Sequence, residues 1–363
     1  MPARITSPDN PALADLCREL AARAAALDAA GDWPGAQLRL CADDGVFEWF
    51  AGSEWGGQAW DGESVIRGYL ALSRACLTTS FVITQREGAC RRIESSDNEP
   101  LKRELLPALT RGATHATVGI SHLTTSRRHV ARPVLRARRD GGAWVLEGYS
   151  AWVTGAAHAD YVLVGATVMD GDDATPEQLL AIVPTDVPNV RAEPPAKLVG
   201  LSASATGQFT LDGARIGDHW LVAGPVEHVM ATGSGAGTGG LQTSTLALGL
   251  TRAALDFLAV EAATRSDLQT PLDALETDFA EQLAALLAAV RGAPRCSNDE
   301  LRRQANSLVL RATQASLAAA KGAGYVAGHP AGRWCREALF FLVWSCPQPV
   351  LAANLCELAG ILD

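Results

Sequence analysis

Several groups in this 363-residue chain are of types that could do chemistry. His122 and His129 flank the pair Arg127-Arg128. Imidazoles titrate near neutrality and can pass a proton, and neighbouring guanidinium groups can grip a phosphate bidentately. The plainer alternatives are a satisfied loop histidine and a solvated basic loop. The run Gly233-Ser234-Gly235-Ala236-Gly237-Thr238-Gly239-Gly240 has the glycine content of a phosphate-cradling loop. It lacks the Gly-Lys-Ser/Thr ending and the flanking strand that such a loop requires, and so reads as a flexible entry into the helices that follow. Ser345 has no evident partner base in the sequence, and no Gly-x-Ser-x-Gly elbow is present, so Ser345 reads as a filler and not a nucleophile. Glu337 reads as a partner in a helix-surface salt bridge and Glu357 as a solvated helix charge.

The elements that must position these groups change character twice along the chain. From Pro11 to about Gly112 the pattern is helical: Leu13, Leu16, Leu20, Ala24 and Leu27 recur at three- and four-residue steps. A second helical run starts near Gly62, and Glu54-Trp55-Gly56-Gly57 between them reads as a turn. After Gly112 come short alternating runs, Trp144 to Glu147, Tyr161 to Val164 and Leu180 to Val183, which read as strands of a compact β domain ending near Trp220-Leu221-Val222. Beyond the glycine run the sequence is rich in alanine and leucine, which favour helix. Helices are expected over about 241–265, 271–291, 297–328 and 333–343, with a short one after Pro349. The expected organisation is α+β: an N-terminal helical domain over 1–112, a central β-barrel domain over 113–223 and a C-terminal helical bundle over 224–363.

Composition narrows the function classes. With 31 Lys and Arg against 40 Asp and Glu, the formal charge of -9 gives no support to binding nucleic acid or an anionic membrane. No run approaches the ~18–20 consecutive apolar residues of a membrane span, and Met1 to Pro8 lacks the apolar core of a secretory signal. The eight cysteines contain no Cys-x-x-Cys pair, which argues against a zinc site and for reduced thiols in a cytoplasm.

The stretch from Gly141 to Asp160, containing Gly148, Trp152-Val153-Thr154-Gly155 and Ala159-Asp160, is similar to the Asn-Gly-x-Lys-x-Trp-Ile-Thr-Asn/Gly…Ala-Asp segment of the acyl-CoA dehydrogenase family. Lys197 to Ser204, Leu211 to Ile216, Ala247 to Asp256 and Lys321-Gly322-Ala323-Gly324-Tyr325 extend the resemblance over nearly the whole chain. It implies that FAD lies between the β domain and the bundle, with Trp152 packing near the isoalloxazine ring and Thr154 bonding its N5/O4 edge. An aromatic face and a hydroxyl donor suit such a planar cofactor. Ser121 supplies a further hydroxyl. Arg265 stands where the family's arginine reaches a neighbouring subunit's FAD, and Gly322 and Gly324 where backbone approaches that cofactor. The alternative for Arg265 is a solvated cation at a helix C-terminus.

The resemblance also implies departures. The segment Arg336 to Pro347 is similar to the family's Arg-Asp-Ala helix and Tyr-Glu-Gly-Thr turn, whose glutamate removes the substrate's alpha proton; counting from Arg336 puts Ser345 there. A second family location for the base falls at Gly239-Gly240. Lys321 replaces a glycine, Ala318 a glutamine, and Leu268-Gln269 a Phe-Gly pair. The implied function is an FAD flavoprotein acting on the CH-CH group of an acyl thioester or related substrate, with no catalytic residue assigned. The alternatives are a silent subunit completing a second acyl-CoA dehydrogenase-like chain, a flavin-dependent monooxygenase on the same fold, and a repurposed protein without flavin. A dimer or tetramer is implied.

Overall fold

The computed structural model describes residues 4–124, 133–232 and 240–361. Helix α1 (Pro11–Ala30) starts where Asn10 accepts a hydrogen bond from the Ala12 amide at 3.0 Å and ends at Gly31, whose φ of 69° takes the left-handed conformation. Its buried face is Leu13, Leu16, Leu20, Ala24 and Leu27. There follow α2 (Gly35–Asp43), α3 (Gly62–Ala75), α4 (Leu77–Glu94) and α5 (Glu99–Thr110). The expected turn at Glu54 to Gly57 is a single 3-10 turn, Ser53–Trp55, closed by Gly56 at φ 82°. Every residue of α4 from Leu77 to Thr84 is buried, as in a helix with protein on all sides.

The β domain is one mixed eight-stranded sheet built from β1 (Ala116–Gly119), then a one-turn helix α6 (Ser121–Thr124), β2 (Leu135–Asp140), β3 (Ala143–Val153), β4 (Tyr161–Asp170), β5 (Asp173–Pro184), β6 (Val190–Ala192), β7 (Gly207–Gly217) and β8 (Leu221–Glu227). The order is β6-β7-β3-β2-β4-β5-β8, and the sheet forks at β4. One edge of β4 pairs in parallel with β1 through residues 161–164 and then with β2 at Thr167 and Val168, while its other edge pairs antiparallel with β5. Helix α6 sits at this fork. One face of the sheet buries Leu146, Val164, Leu179 and Phe209 among others, and the opposite face packs Leu163, Leu180 and Ile182 against α4 and α5.

The remaining chain forms α7 (Leu241–Ala262), α8 (Gln269–Val290), α9 (Asn298–Gly324), α10 (Pro330–Ala338), α11 (Phe340–Val343) and α12 (Gln348–Leu358). Helix α7 is long and apolar enough by composition to cross a membrane, but 72% of its apolar window is buried inside the protein. A Cβ on Gly249 would overlap the Ser73 hydroxyl, so only glycine lets α7 come this close to α3. The helices before and after the sheet share one core, in which Leu20, Tyr69 and Phe81 pack with Leu248, Leu308 and Phe341. The single helix expected over 297–328 is broken at Lys321, where φ is 53° and ψ is -145°.

Candidate functional site

The β-domain part of the site is organised by the fork in the sheet. Ser121 opens α6 directly beyond β1, and α6 packs against β3. His122 is buried, with its Nε2 2.7 Å from the Gly165 carbonyl oxygen. A carbonyl can only accept, so Nε2 carries the proton and Nδ1 is bare. Burial pushes the imidazole pKa below its usual value. His122 is thus a neutral strut between α6 and β4, not a surface group or a proton carrier. A Cβ on Gly165 would overlap Leu123 Cδ1, so a larger residue there would have to displace the Leu123 side chain. Arg127, Arg128 and His129 lie outside the described residues.

Trp152 and Thr154 stand at the end of β3. Trp152 is 51% exposed, an unusual position for so large an apolar ring. Thr154 is buried, and its hydroxyl lies 3.0 Å from that of Thr206, which in turn lies 2.8 Å from Ser204 Oγ. The framing residues have structural reasons. Gly148, at φ 125°, leaves no room for a Cβ beside the Val134 carbonyl. Gly155, at φ 65°, lies against Trp33, which stacks on His158 at 4.8 Å. Asp160 accepts a hydrogen bond from the His115 amide at 2.7 Å and so ties β4 to the start of β1.

Arg265, Gly322 and Gly324 form a second group where α7 ends and α9 breaks. Arg265 is partly buried; its Nη1 donates to the Ala319 carbonyl at 2.6 Å and pairs with Glu261 at 3.5 Å, while Nη2 lies 3.6 Å from Asp267. This binds the guanidinium to the turn of α9 just before the break at Lys321. Gly322 has open space where a Cβ would go, whereas a Cβ on Gly324 would approach Ala320 and Leu317 to 2.7 and 2.9 Å. Tyr325, directly after, is 89% exposed. The described contacts tie Arg265 to α9 at Ala319, three residues before Gly322, and pack α6, which Ser121 opens, against β3, which carries Trp152.

Ser345 occupies the turn between α11 and α12 at φ 45°, a left-handed conformation rare for a residue with a side chain. The ring of Trp344 before it stacks on Phe340 at 4.9 Å and meets Phe81 edge-on at 5.0 Å. Two residues that sequence reasoning passed over hold this turn. Arg302, fully buried, donates from Nη2 to the Trp344 carbonyl at 2.9 Å and from Nε to Asn306 Oδ1 at 3.0 Å, and Asn306 donates to the Phe341 carbonyl at 3.1 Å. The signal was available: Arg302 and Asn306 are four residues apart on the stripe that also carries Leu301, Ala305, Leu308 and Val309.

Glu337 departs from the surface role expected of it. It is buried with Arg333, 3.5 Å away, and burial raises its pKa to about 7 despite that cation. Glu357 is paired with Arg303 at 3.3 Å. Gly240, the described member of the pair at the alternative base position, is exposed at the start of α7. A separate cleft of about 470 Å³ opens between the α4–α5 junction and β8, lined by Arg92, Ser96, Asn98, Asp218, Val222 and Thr232 among others. None of the six expected cofactor-binding residues lines it.

Residues 111–214 match the family model described as acyl-CoA dehydrogenase, middle domain. The chain is 23% identical to the probable acyl-CoA dehydrogenase YngJ of Bacillus subtilis (strain 168), over 88% of each chain. Its fold is that of glutaryl-coenzyme A dehydrogenase in its glutaryl-CoA complex (TM-score 0.81, 17% identity, 96% of this chain and 95% of the other). It is shared with nitrososynthase from Micromonospora carbonacea var. africana (TM-score 0.75, 22% identity, 96% and 94%). Residues 111–214 thus carry an acyl-CoA dehydrogenase middle domain, the chain is similar to an acyl-CoA dehydrogenase relative nearly end to end, and its helices, sheet and helices take the fold of the solved acyl-CoA dehydrogenases.

Proposed function

We propose that the protein binds FAD and acts as a flavoprotein on the CH-CH group of an acyl thioester or related substrate, with Ser345 in place of the family's proton-abstracting glutamate. The observation that carries this reading is the turn at Ser345. Its backbone is held at two carbonyls, those of Phe341 and Trp344, by buried side chains of α9, while the residue it presents is neutral. The turn is held from two sides, and the side chain it carries is no acid or base.

The residues present fit a flavin. Trp152 offers a half-exposed aromatic face, and the Thr154 hydroxyl, at the end of the chain of hydroxyls from Ser204 and Thr206, can accept from Thr206 and still donate outward. The open space at Gly322 suits close approach of a second subunit's cofactor, and Arg265 is held beside it. When bound, the flavin supplies acceptance of a hydride from the substrate. The chain's own residues would orient the ring and exclude water. None assigned here takes the alpha proton, because a serine hydroxyl without a base is a poor proton acceptor near pH 7. A dimer or tetramer in the cytoplasm is the assembly and location this reading carries.

A specific observation favours a second reading, a silent subunit that completes an intact dehydrogenase chain: Phe81, Phe340 and Trp344 fill the space beside the Ser345 turn with packed rings. A third reading is a flavin-dependent monooxygenase on the same fold, whose chemistry needs no carboxylate at 345.

The test is the absorbance spectrum of the protein as isolated, with chromatography of the cofactor released on denaturation. About one FAD per chain supports the flavoprotein reading, and a colourless protein that refuses added FAD overturns it. Co-purification of a second acyl-CoA dehydrogenase-like chain distinguishes the subunit reading.

A further inference from the structure

Among the described residues, Arg302 is the one arginine whose burial is complete and whose hydrogen bonds all go to uncharged groups while a donor is left over. Its Nε and Nη2 are used on Asn306 and on the Trp344 carbonyl, and its Nη1 is buried without a hydrogen-bond partner among the described residues. Burial of a cation without a carboxylate beside it is costly and lowers its proton affinity; here burial brings the pKa down to about 10, with Cys346 and Asp299 opposing at longer range. The Trp344 carbonyl that Arg302 holds belongs to the peptide joining Trp344 to Ser345, which brings the spare N–H and its positive field to the backbone of position 345.

We infer that Arg302 is the positioning residue of the Trp344-Ser345-Cys346 turn, and that its uncompensated charge makes position 345 a place that favours a negative group. The two parts have different physical origins. The geometry comes from the planar fork, which reaches Asn306 and Trp344 at once, as a lysine cannot. The field comes from the charge, which a lysine retains. Neither part depends on whether the turn serves a flavin, so the inference stands or falls apart from the functional reading above.

The experiment combines amide hydrogen exchange with a double-mutant cycle in the full chain. Arg302→Met is expected to raise exchange at the Leu342 and Trp344 amides, which bond to Leu339 and Phe340, at least tenfold more than in α1. Ser345→Glu is expected to change the unfolding constant less than threefold with Arg302 in place and more than tenfold in the Arg302→Met background. Arg302→Lys separates the two parts and serves if the Met variant does not fold: exchange at Trp344 rises while tolerance of the introduced carboxylate is retained. Exchange that rises evenly over the whole chain would overturn the positioning role, and additive effects of the two substitutions would overturn the electrostatic one.

Discussion

The hydroxyls of Thr154 and Thr206 lie 3.0 Å apart at the buried end of β3, with Ser204 2.8 Å beyond. Such a chain fixes the direction of the outermost O–H, because each hydroxyl that accepts from its neighbour is left one proton to give. Thr154→Val is expected to weaken FAD binding about tenfold, the worth of one net hydrogen bond. Thr206→Val leaves Thr154 in place but unoriented and should cost about threefold. Titration of FAD fluorescence against each variant checks this order; an equal loss in both would mean that the chain acts on packing alone.

Lys321 adopts φ 53° and ψ -145°, a backbone conformation that suits glycine. Replacing Lys321 by Gly is expected to stabilise the protein by ~1 kcal/mol, since the strain of a left-handed residue with a Cβ is of order 1–3 kcal/mol and glycine loses part of it in unfolded-state entropy. Lys321→Ala keeps the Cβ and should show no gain. Urea unfolding of both variants decides.

Glu337 has a folded-state pKa of about 7, raised by burial and opposed by Arg333 and Arg336, with Asp28 adding to the rise. The folded protein therefore holds its proton over a range where the unfolded chain, near the ordinary glutamate value of ~4.3, has released it. The stability contributed by the protonated group is complete below that unfolded value and is lost as the pH rises through about 7. Glu337→Gln should match the parent near pH 4 and gain on it by up to ~1.4 kcal/mol per pH unit between about pH 5 and 7. Parallel stability curves for parent and variant would refute the buried, proton-binding state.

Gly155 lies at φ 65° with Trp33 where a Cβ would stand. Gly155→Ala must displace Trp33 from its stack on His158, and a loss of ~2–4 kcal/mol is expected from overpacking and strain together. Thermal unfolding measures it; a loss below ~0.5 kcal/mol would contradict the close approach.

What could be read from the sequence followed from local signals. The face of α1 and the strands around Trp144, Tyr161 and Leu180 rest on periodicity, and the Gly148-to-Asp160 frame was found by its spacing although Asp160 and Gly155 serve His115 and Trp33 far along the chain. The rest depends on distant partners. That α3 and α7 touch at Ser73 and Gly249, and that the helices from both ends of the chain bury one core, cannot be seen in either segment alone. His122 and Glu337 look like surface groups until β4 is folded over the one, and α9, α7 and α1 are packed around the helix that carries the other. Lys321 hides a helix break because lysine is a good helix former, and its neighbours override that preference. Arg302 was legible as a charge on an apolar stripe, though not as the support of Ser345.

The proposed function turns on Ser345 standing at the position of the family's proton-abstracting glutamate. The direct measurement is the rate at which an acyl-CoA bleaches the oxidised flavin band when mixed without oxygen with FAD-loaded protein, compared between the parent and Ser345→Glu. The account predicts slow bleaching in the parent and a rate about 100- to 10,000-fold higher in the variant, the usual worth of a general base. Fast bleaching in the parent, or no gain in a variant that still binds FAD and the thioester, would contradict it.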